Sequence, residues 1–357
     1  MHERRMDRLR SLLDALAVDA LLVMNLPNVR YLTGFSGTNG QVLVTGRGAT
    51  FLSDPRYAAR AAALVSGADV RIYPGRLSEV LVDLLRDARV ERLGLEGATV
   101  TLVQRDDLAQ RLAGVELVTT KDVVEQLRRA KDEQELALIR EAVRIADEAF
   151  DWILERLAPG RSEREVALEL EMRIRERGAD DVSFPPIVGS GPLSAHIHHT
   201  ASDRELGRGD LVLLDFGAQW EGYCSDLTRT VVLGPADDEQ RRIYAAVLEA
   251  QRRGIVEVAA GAEGVAVDAA ARDLISDAGH REEFGHGLGH GVGLEIHEAP
   301  RLHWQSEESL VAGDVVTVEP GIYRVGWGGV RIEDCVLVSE TGAEVLGKAP
   351  KADLMAL

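Results

Sequence analysis

Two segments far apart in the chain follow one pattern. Gly209-Asp210-Leu211-Val212-Leu213-Leu214-Asp215-Phe216-Gly217 parallels Gly313-Asp314-Val315-Val316-Thr317-Val318-Glu319-Pro320-Gly321. Each is a glycine, an apolar strand, an acid and a turn. A second acid-bearing strand follows each one, 225–233 with Asp226 and 330–338 with Glu333. Asp215 thereby aligns with Glu319, and Asp226 with Glu333. Taken singly, acids at strand ends are ordinarily solvated surface groups. Together, inside or at the ends of apolar strands, they repel one another unless cations intervene. Four converging carboxylates are what a pair of divalent metal ions requires.

A second constellation lies between the two acid pairs. His286, His290 and His297 alternate with Gly285, Gly287, Gly289, Gly291 and Gly293. Glycine at every other position lets one backbone approach another closely, which suits the wall of a site. The stretch is not a zinc-protease helix, because position 301, where the second histidine would fall after His297-Glu298, is Arg301. Nor does its glycine spacing fit a dinucleotide fold. One histidine here would read as structural; three in a glycine-rich strand mark a candidate site.

These residues need elements to carry them. Residues 5–18 read as an amphipathic helix, 20–24 as a strand and 25–40 as irregular. Strands at 42–45, 50–53, 70–73, 93–95 and 115–118 alternate with helices at 57–65, 77–87 and 102–112, the pattern of an α/β domain. After Lys121 the pattern changes. Leu136, Ile139, Val143, Ala146, Phe150, Ile153 and Leu157 form one apolar stripe on a long helix that Pro159-Gly160 ends. Ser162 and Glu165 make a capping box for the next helix, which stops at Gly178. Strands dominate from Phe184, interrupted by helices near 239–253 and 265–278. The boundary is placed at residue 125, giving an α/β domain 1–125 and an α+β domain 126–357 that holds the acids and histidines.

Composition narrows the function classes. The 357 residues carry 59 acids against 41 bases, a net charge of −18. That balance excludes a nucleic-acid or anionic-membrane partner, which needs clustered Lys and Arg. Cys224 and Cys335 are the only cysteines, too few for a disulfide framework or a zinc finger. The charged start, MHERRMDRLR, does not read as a signal peptide, and no segment approaches the roughly 18 apolar residues of a membrane span. The cytoplasm is the expected location.

The stretch 286–298 resembles the signature of the prolidase and aminopeptidase P family, the pita-bread metallopeptidases. So do Asp215-Phe216-Gly217, Ser225-Asp226-Leu227-Thr228-Arg229-Thr230, Glu319-Pro320-Gly321-Ile322-Tyr323 and Val330-Arg331-Ile332-Glu333-Asp334, in that family's order. Asn28-Val29-Arg30-Tyr31-Leu32-Thr33-Gly34-Phe35 and Asp54-Pro55-Arg56-Tyr57 resemble its N-terminal domain more loosely. The resemblance implies a creatinase-like α/β domain before a pita-bread domain, and two metal ions, Mn2+ first with Co2+ or Zn2+ as alternatives. It implies ligands Asp215, Asp226, His290, Glu319 and Glu333, with Asp226 and Glu333 shared by both ions. It further implies Glu319 as proton acceptor, His297 as carbonyl stabiliser, His198 at the substrate, Arg331 lining the site and Thr228 near one metal. The implied reaction is hydrolysis of the Xaa-Pro bond by a metal-bridging hydroxide, in small peptides with proline second. The expected assembly is a homodimer in which residues 1–120 cover a partner's pocket.

Where the family usually shows a proline-histidine pair, this chain reads Ala195-His196-Ile197-His198-His199, so His196 and His199 stand beside His198 as alternatives. Cys224 and Cys335 read as buried fillers or as residues turned towards the metals. Trp304 and Trp327 read as pocket walls or core. Arg301 and His303 are placed to hold a substrate carboxylate, or else are solvated. Methionine aminopeptidases share the five ligands without the N-terminal domain, and creatinase-type hydrolases lack the full ligand set. A non-catalytic peptide-binding module would not keep all five ligands and His297. The dipeptidase reading is preferred, with an aminopeptidase acting on longer peptides as the alternative.

Overall fold

In the computed structural model, which describes residues 1–357, the chain divides into Met1–Arg128 and Arg129–Leu357. The strands of the first unit are β1 (Ala20–Val23), β2 (Gln41–Thr45), β3 (Gly48–Ser53), β4 (Asp69–Ile72), β5 (Arg92–Glu96) and β6 (Glu116–Thr120). They form one mixed sheet in the order β4-β3-β2-β1-β5-β6. Every residue of β1 is apolar and buried, as a central strand covered on both faces requires. The helices of this unit are α1 (His2–Arg10), α2 (Leu26–Thr33), α3 (Ala58–Leu64), α4 (Leu77–Ala88) and α5 (Leu102–Arg111); α6 (Val123–Arg129) closes it.

Two local expectations are corrected. Residues 11–17 are turns rather than a continuation of α1, and Ala17 has a φ of 53°. The segment read as irregular contains α2, whose Pro27 lies in the first turn and whose Gly34 ends it at φ 80°. Pro inside the start and Gly past the end are helix signals. The α2 entrance is held by Glu96, which accepts from Met24 N at 2.6 Å, Asn25 N at 2.7 Å and Asn28 Nδ2 at 2.7 Å.

The second unit opens with α7 (Glu133–Leu154), whose stripe from Leu136 to Ile153 is buried. Asp132 accepts from Gln134 N and Glu135 N, and Glu135 accepts in return from Asp132 N, each at 3.0 Å. In α8 (Glu163–Glu176) the Ser162–Glu165 box is present in both directions. The strands that follow are β7 (Asp181–Val182), β8 (Ile187–Ser190), β9 (Leu211–Phe216), β10 (Ala218–Trp220), β11 (Tyr223–Cys224) and β12 (Leu227–Val232). After α9 (Asp238–Glu257) and α10 (Gly264–Asp277) come β13 (Gly289–Gly291), β14 (Glu298–Leu302), β15 (Val315–Val318), β16 (Gly321–Arg324), β17 (Gly328–Arg331), β18 (Asp334–Ser339) and β19 (Gly342–Val345).

The repeated segments have the same architecture. β9 and β12 are antiparallel partners separated by the hairpin β10–β11; β15 and β18 are partners separated by β16–β17. Period-two geometry sorts their faces. Val212, Leu214 and Phe216 pack with Phe150, Val166 and Leu170 of α7 and α8, which leaves Asp215 on the other face of β9. Val316 and Val318 pack with Val247 of α9 and Val267 of α10, which leaves Thr317, and Glu319 beyond it, on the other face of β15. Asp226 and Glu333 do not lie within strands as expected. Each sits at the junction where a hairpin hands over to the returning strand.

Candidate active site

The register of the two ladders brings the acids together. Asp215 stands opposite Thr228 in the β9–β12 pair. Glu333 N donates to Thr228 O at 3.1 Å, joining this ladder to the second repeat, and Glu319 N donates to Leu288 O at 2.8 Å, beside β13. His290 reaches the cluster because its strand can press closely against its neighbours. A Cβ on Gly289 would lie 2.0 Å from Thr317 O, and one on Gly291 2.3 Å from Ala299 O. Glycine is obligatory at both places.

Ligand-type atoms of Asp226, His290 and Glu333 lie within 4.8 Å of one another. His290 Nε2 is 3.6 Å from Asp226 Oδ2 and 3.4 Å from Glu319 Oε1. His290 Nδ1 is 3.0 Å from Gly291 O, which can only accept, so the proton sits on Nδ1 and the Nε2 lone pair faces the carboxylates. Burial first, then the charge of His297, pushes His290 down to about 4, so the ring is neutral at pH 7. Thr228 Oγ1 donates to Glu333 Oε2 at 2.6 Å and Thr317 Oγ1 to Glu319 Oε1 at 3.1 Å.

The cluster has more negative than positive charge, with Arg331 the cation bonded to it, through Asp215. Burial, and then the charges of Glu333, Asp215 and Glu319, hold Asp226 well above the usual carboxylate range. Burial, with Glu319 and Asp215 next, does the same to Glu333. Burial pushes Glu319 up to about 7, with Asp215 adding and Arg331 opposing. Asp215 Oδ1 and Asp226 Oδ1 are buried without any hydrogen-bond partner. Buried carboxylates left this way are costly unless cations fill the gap. Four carboxylates and one neutral imidazole with two orphaned oxygens fit a pair of divalent ions.

Arg331, expected to line the site against substrate, is bonded to residues of the site itself. Its side chain is 2% exposed, with Nη2 on Asp215, Nε on Thr228 Oγ1 at 3.0 Å and Nη1 on Tyr323 OH at 2.9 Å. Three of its five N–H groups are engaged in this way, and the bond to Asp215 braces that carboxylate. Tyr323 was not singled out, although it ends the Glu319-Pro-Gly-Ile-Tyr323 run. Its hydroxyl accepts from Arg331 and lies 2.8 Å from His286 Nε2. His286 Nδ1 lies 2.8 Å from Gly287 O, so it carries the proton and Nε2 accepts from Tyr323. Burial first, then Arg331, lowers His286 to about 3.

The remaining histidines lie at the rim. His297 is exposed, with its ring centroid 4.4 Å from that of His290. Burial first, then His198 and Arg301, lowers its pKa, so both of those residues are near it. His196 and His198 are exposed, whereas His199 is bonded to Glu163. Arg301 is exposed. Trp304 stacks on His303 at 3.8 Å and lies beneath Arg272, while Trp327 packs on the core. Cys224 and Cys335 are both buried. Cys335 turns towards the cluster only at the backbone, with Sγ 3.3 Å from Asp226 N and 3.4 Å from Asp226 O.

This geometry agrees with comparison to known proteins. Residues 137–340 match metallopeptidase family M24, and residues 5–130 match the creatinase/prolidase N-terminal domain. A Xaa-Pro dipeptidase of Pyrococcus horikoshii is 37% identical over 340 residues, covering 95% of each chain. The solved Xaa-Pro dipeptidase from Bacillus anthracis is 42% identical with a TM-score of 0.97 over 100% of both chains. An X-Pro aminopeptidase structure from Thermotoga maritima is 35% identical with a TM-score of 0.91, covering 99% of this chain and 100% of that one. The chain therefore belongs to metallopeptidase family M24, with a creatinase/prolidase α/β domain preceding its α+β pita-bread domain.

Proposed function

We propose that the protein is a metal-dependent Xaa-Pro dipeptidase, hydrolysing the bond before proline in small peptides with proline at the second position. The observation that carries this reading is the buried set of four carboxylates and His290, with two orphaned oxygens, beside a rim of His198, His297 and Arg301. We assign Asp226 and Glu333 as residues that would serve both ions, Asp215 as one that would serve one, and His290 with Glu319 as those that would serve the other. When bound, the ions polarise the scissile carbonyl and lower the proton affinity of water.

The chain's own residues supply the rest. Glu319 accepts the proton released at attack. His297 donates an N–H to the developing oxyanion. His198 packs against the pyrrolidine ring. Arg301, exposed and close enough to act on His297, pairs with the free carboxylate of the proline, which favours a dipeptidase over an aminopeptidase. Arg331 holds Asp215 in place. We assign the chemistry to the domain 126–357, which contains all of these residues, and 1–125 to the N-terminal domain.

Hard oxygen donors with one imidazole favour Mn2+, with Co2+ or Zn2+ as alternatives. We propose a homodimer in the cytoplasm; the net charge of −18 speaks against nucleic acid as a partner, and no helix is long and apolar enough to cross a membrane. The test is an assay on Leu-Pro, Leu-Ala and Leu-Pro-Gly with and without chelator. Loss of ring packing should cost about 2–3 kcal/mol, so Leu-Pro should exceed Leu-Ala about 30- to 160-fold in kcat/KM. Equal rates would remove proline from the specificity. Faster cleavage of Leu-Pro-Gly than of Leu-Pro would select the aminopeptidase alternative, and full activity in a metal-free sample would refute the mechanism.

A further inference from the structure

The loop between β8 and β9 carries three histidines, and the structure separates them. His196 and His198 are exposed, while the His199 side chain is 10% exposed. Its Nε2 lies 2.7 Å from Oε2 of Glu163, the first residue of α8, whose side chain is fully buried. A carboxylate in this state only accepts, so His199 donates.

Glu163 holds much more than His199. Its Oε1 accepts from Ser190 N at 2.8 Å and Ser190 Oγ at 2.7 Å. Its Oε2 also accepts from Ser202 N at 3.1 Å and Ser202 Oγ at 2.7 Å. One buried carboxylate therefore ties the end of β8, where the loop starts, to the far side of the loop at Ser202. The near arm has a further anchor, because Ser194 Oγ accepts from Gly329 N of β17 at 2.8 Å. Between Ala195 and Ser202, the side-chain bond that reaches into the protein is that of His199. Its neighbour His198 is exposed and lies near enough to His286 and His297 to act on both.

We propose that His199 is a positioning residue: its hydrogen bond to Glu163 fixes the loop so that His198 is already presented to the proline ring of the substrate. The proposal rests on the Xaa-Pro reading given above. A loop anchored in advance does not have to be ordered when substrate binds, and the benefit falls on KM. The proposed metal ligands lie outside this loop, so kcat and metal content are left alone. The same geometry withdraws Nε2 of His199 from the substrate, because it is committed to Glu163.

A double-mutant cycle tests this. KM, kcat and metal content are measured on Leu-Pro for His199→Leu and His199→Gln, each with His198 intact and as His198→Ala. Losing the anchor should raise KM about tenfold in His199→Leu, with kcat within about twofold and metal content unchanged. His199→Gln, which keeps an N–H donor, should stay within about threefold of the parent enzyme. With His198→Ala already in place, His199→Leu should add less than about twofold, since two residues acting as a unit are not additive. If the leucine variant does not fold, His199→Asn, whose amide is too short to reach Glu163, gives the same reading. An unchanged KM, or an equal rise in both backgrounds while the Leu-Pro preference holds, overturns this proposal alone. A parent enzyme that does not prefer Leu-Pro over Leu-Ala overturns the functional reading and this proposal with it.

Discussion

Replacing Asp226 by asparagine should stabilise the metal-free protein while weakening its grip on metal. Facing ligand atoms of Asp226 and Glu333 lie within 4.8 Å, where two unit charges repel by about 3.5 kcal/mol at an effective dielectric of 20. Protonation already relieves part of that repulsion, so the net gain is about 1–3 kcal/mol at pH 8. Burial first, and neighbouring charge second, raise Asp226 and Glu333 well above their usual range, and burial takes Glu319 to about 7. These groups bind more protons folded than unfolded. Their contribution to stability is therefore present at low pH and is lost as pH rises from the ordinary carboxylate range through about 7. At pH 5 the asparagine has little repulsion left to remove, and the gain should shrink. Calorimetry on chelator-treated protein should show the variant melting roughly 2–10 °C above wild type at pH 8, and much closer to it at pH 5. Titration with Mn2+ should show affinity reduced at least about 100-fold, or about 2.7 kcal/mol, because the lost charge is one we assign to both ions. A metal-free variant less stable than wild type at pH 8, or one with unchanged Mn2+ affinity, would refute the argument.

Arg331→Met should have the opposite sign in the metal-free protein. It leaves the buried Asp215 carboxylate without its cation and should cost about 3–5 kcal/mol, read by urea unfolding. His297→Ala removes an exposed residue that is not among the proposed ligands, so bound metal should be unchanged. Its kcat on Leu-Pro should fall by about two orders of magnitude, as for a lost oxyanion donor; an unchanged kcat would move that role to another residue.

Much of the second unit was legible in the chain because periodicity and capping are local. The apolar stripe of α7, the Ser162–Glu165 box and the glycine-led acid strands each need only a short window to be recognised. The same window put Asp215 and Glu319 in or at the ends of apolar strands, and the core packing of their neighbours then showed that they face away from it. The helix α2 was also written locally, in Pro27 and Gly34, beneath a run of polar residues that reads as loop.

What a residue type can do was thus set by the sequence, and which partner it meets was decided by the tertiary structure. Arg331 reads as a site-lining cation, but the β16–β17 hairpin turns it onto Asp215, Thr228 and Tyr323. His198 and His199 are neighbours of the same type, and only the buried Glu163, brought beneath the loop by α8, separates an outward imidazole from an anchored one. Cys335 meets Asp226 through its backbone because β18 passes behind the junction where that acid sits. Alternation and capping depend on covalent spacing within a turn or two of chain. Pairing across sheets depends on registers and hairpins that the folding of the whole unit settles, and a linear pattern does not contain those distances.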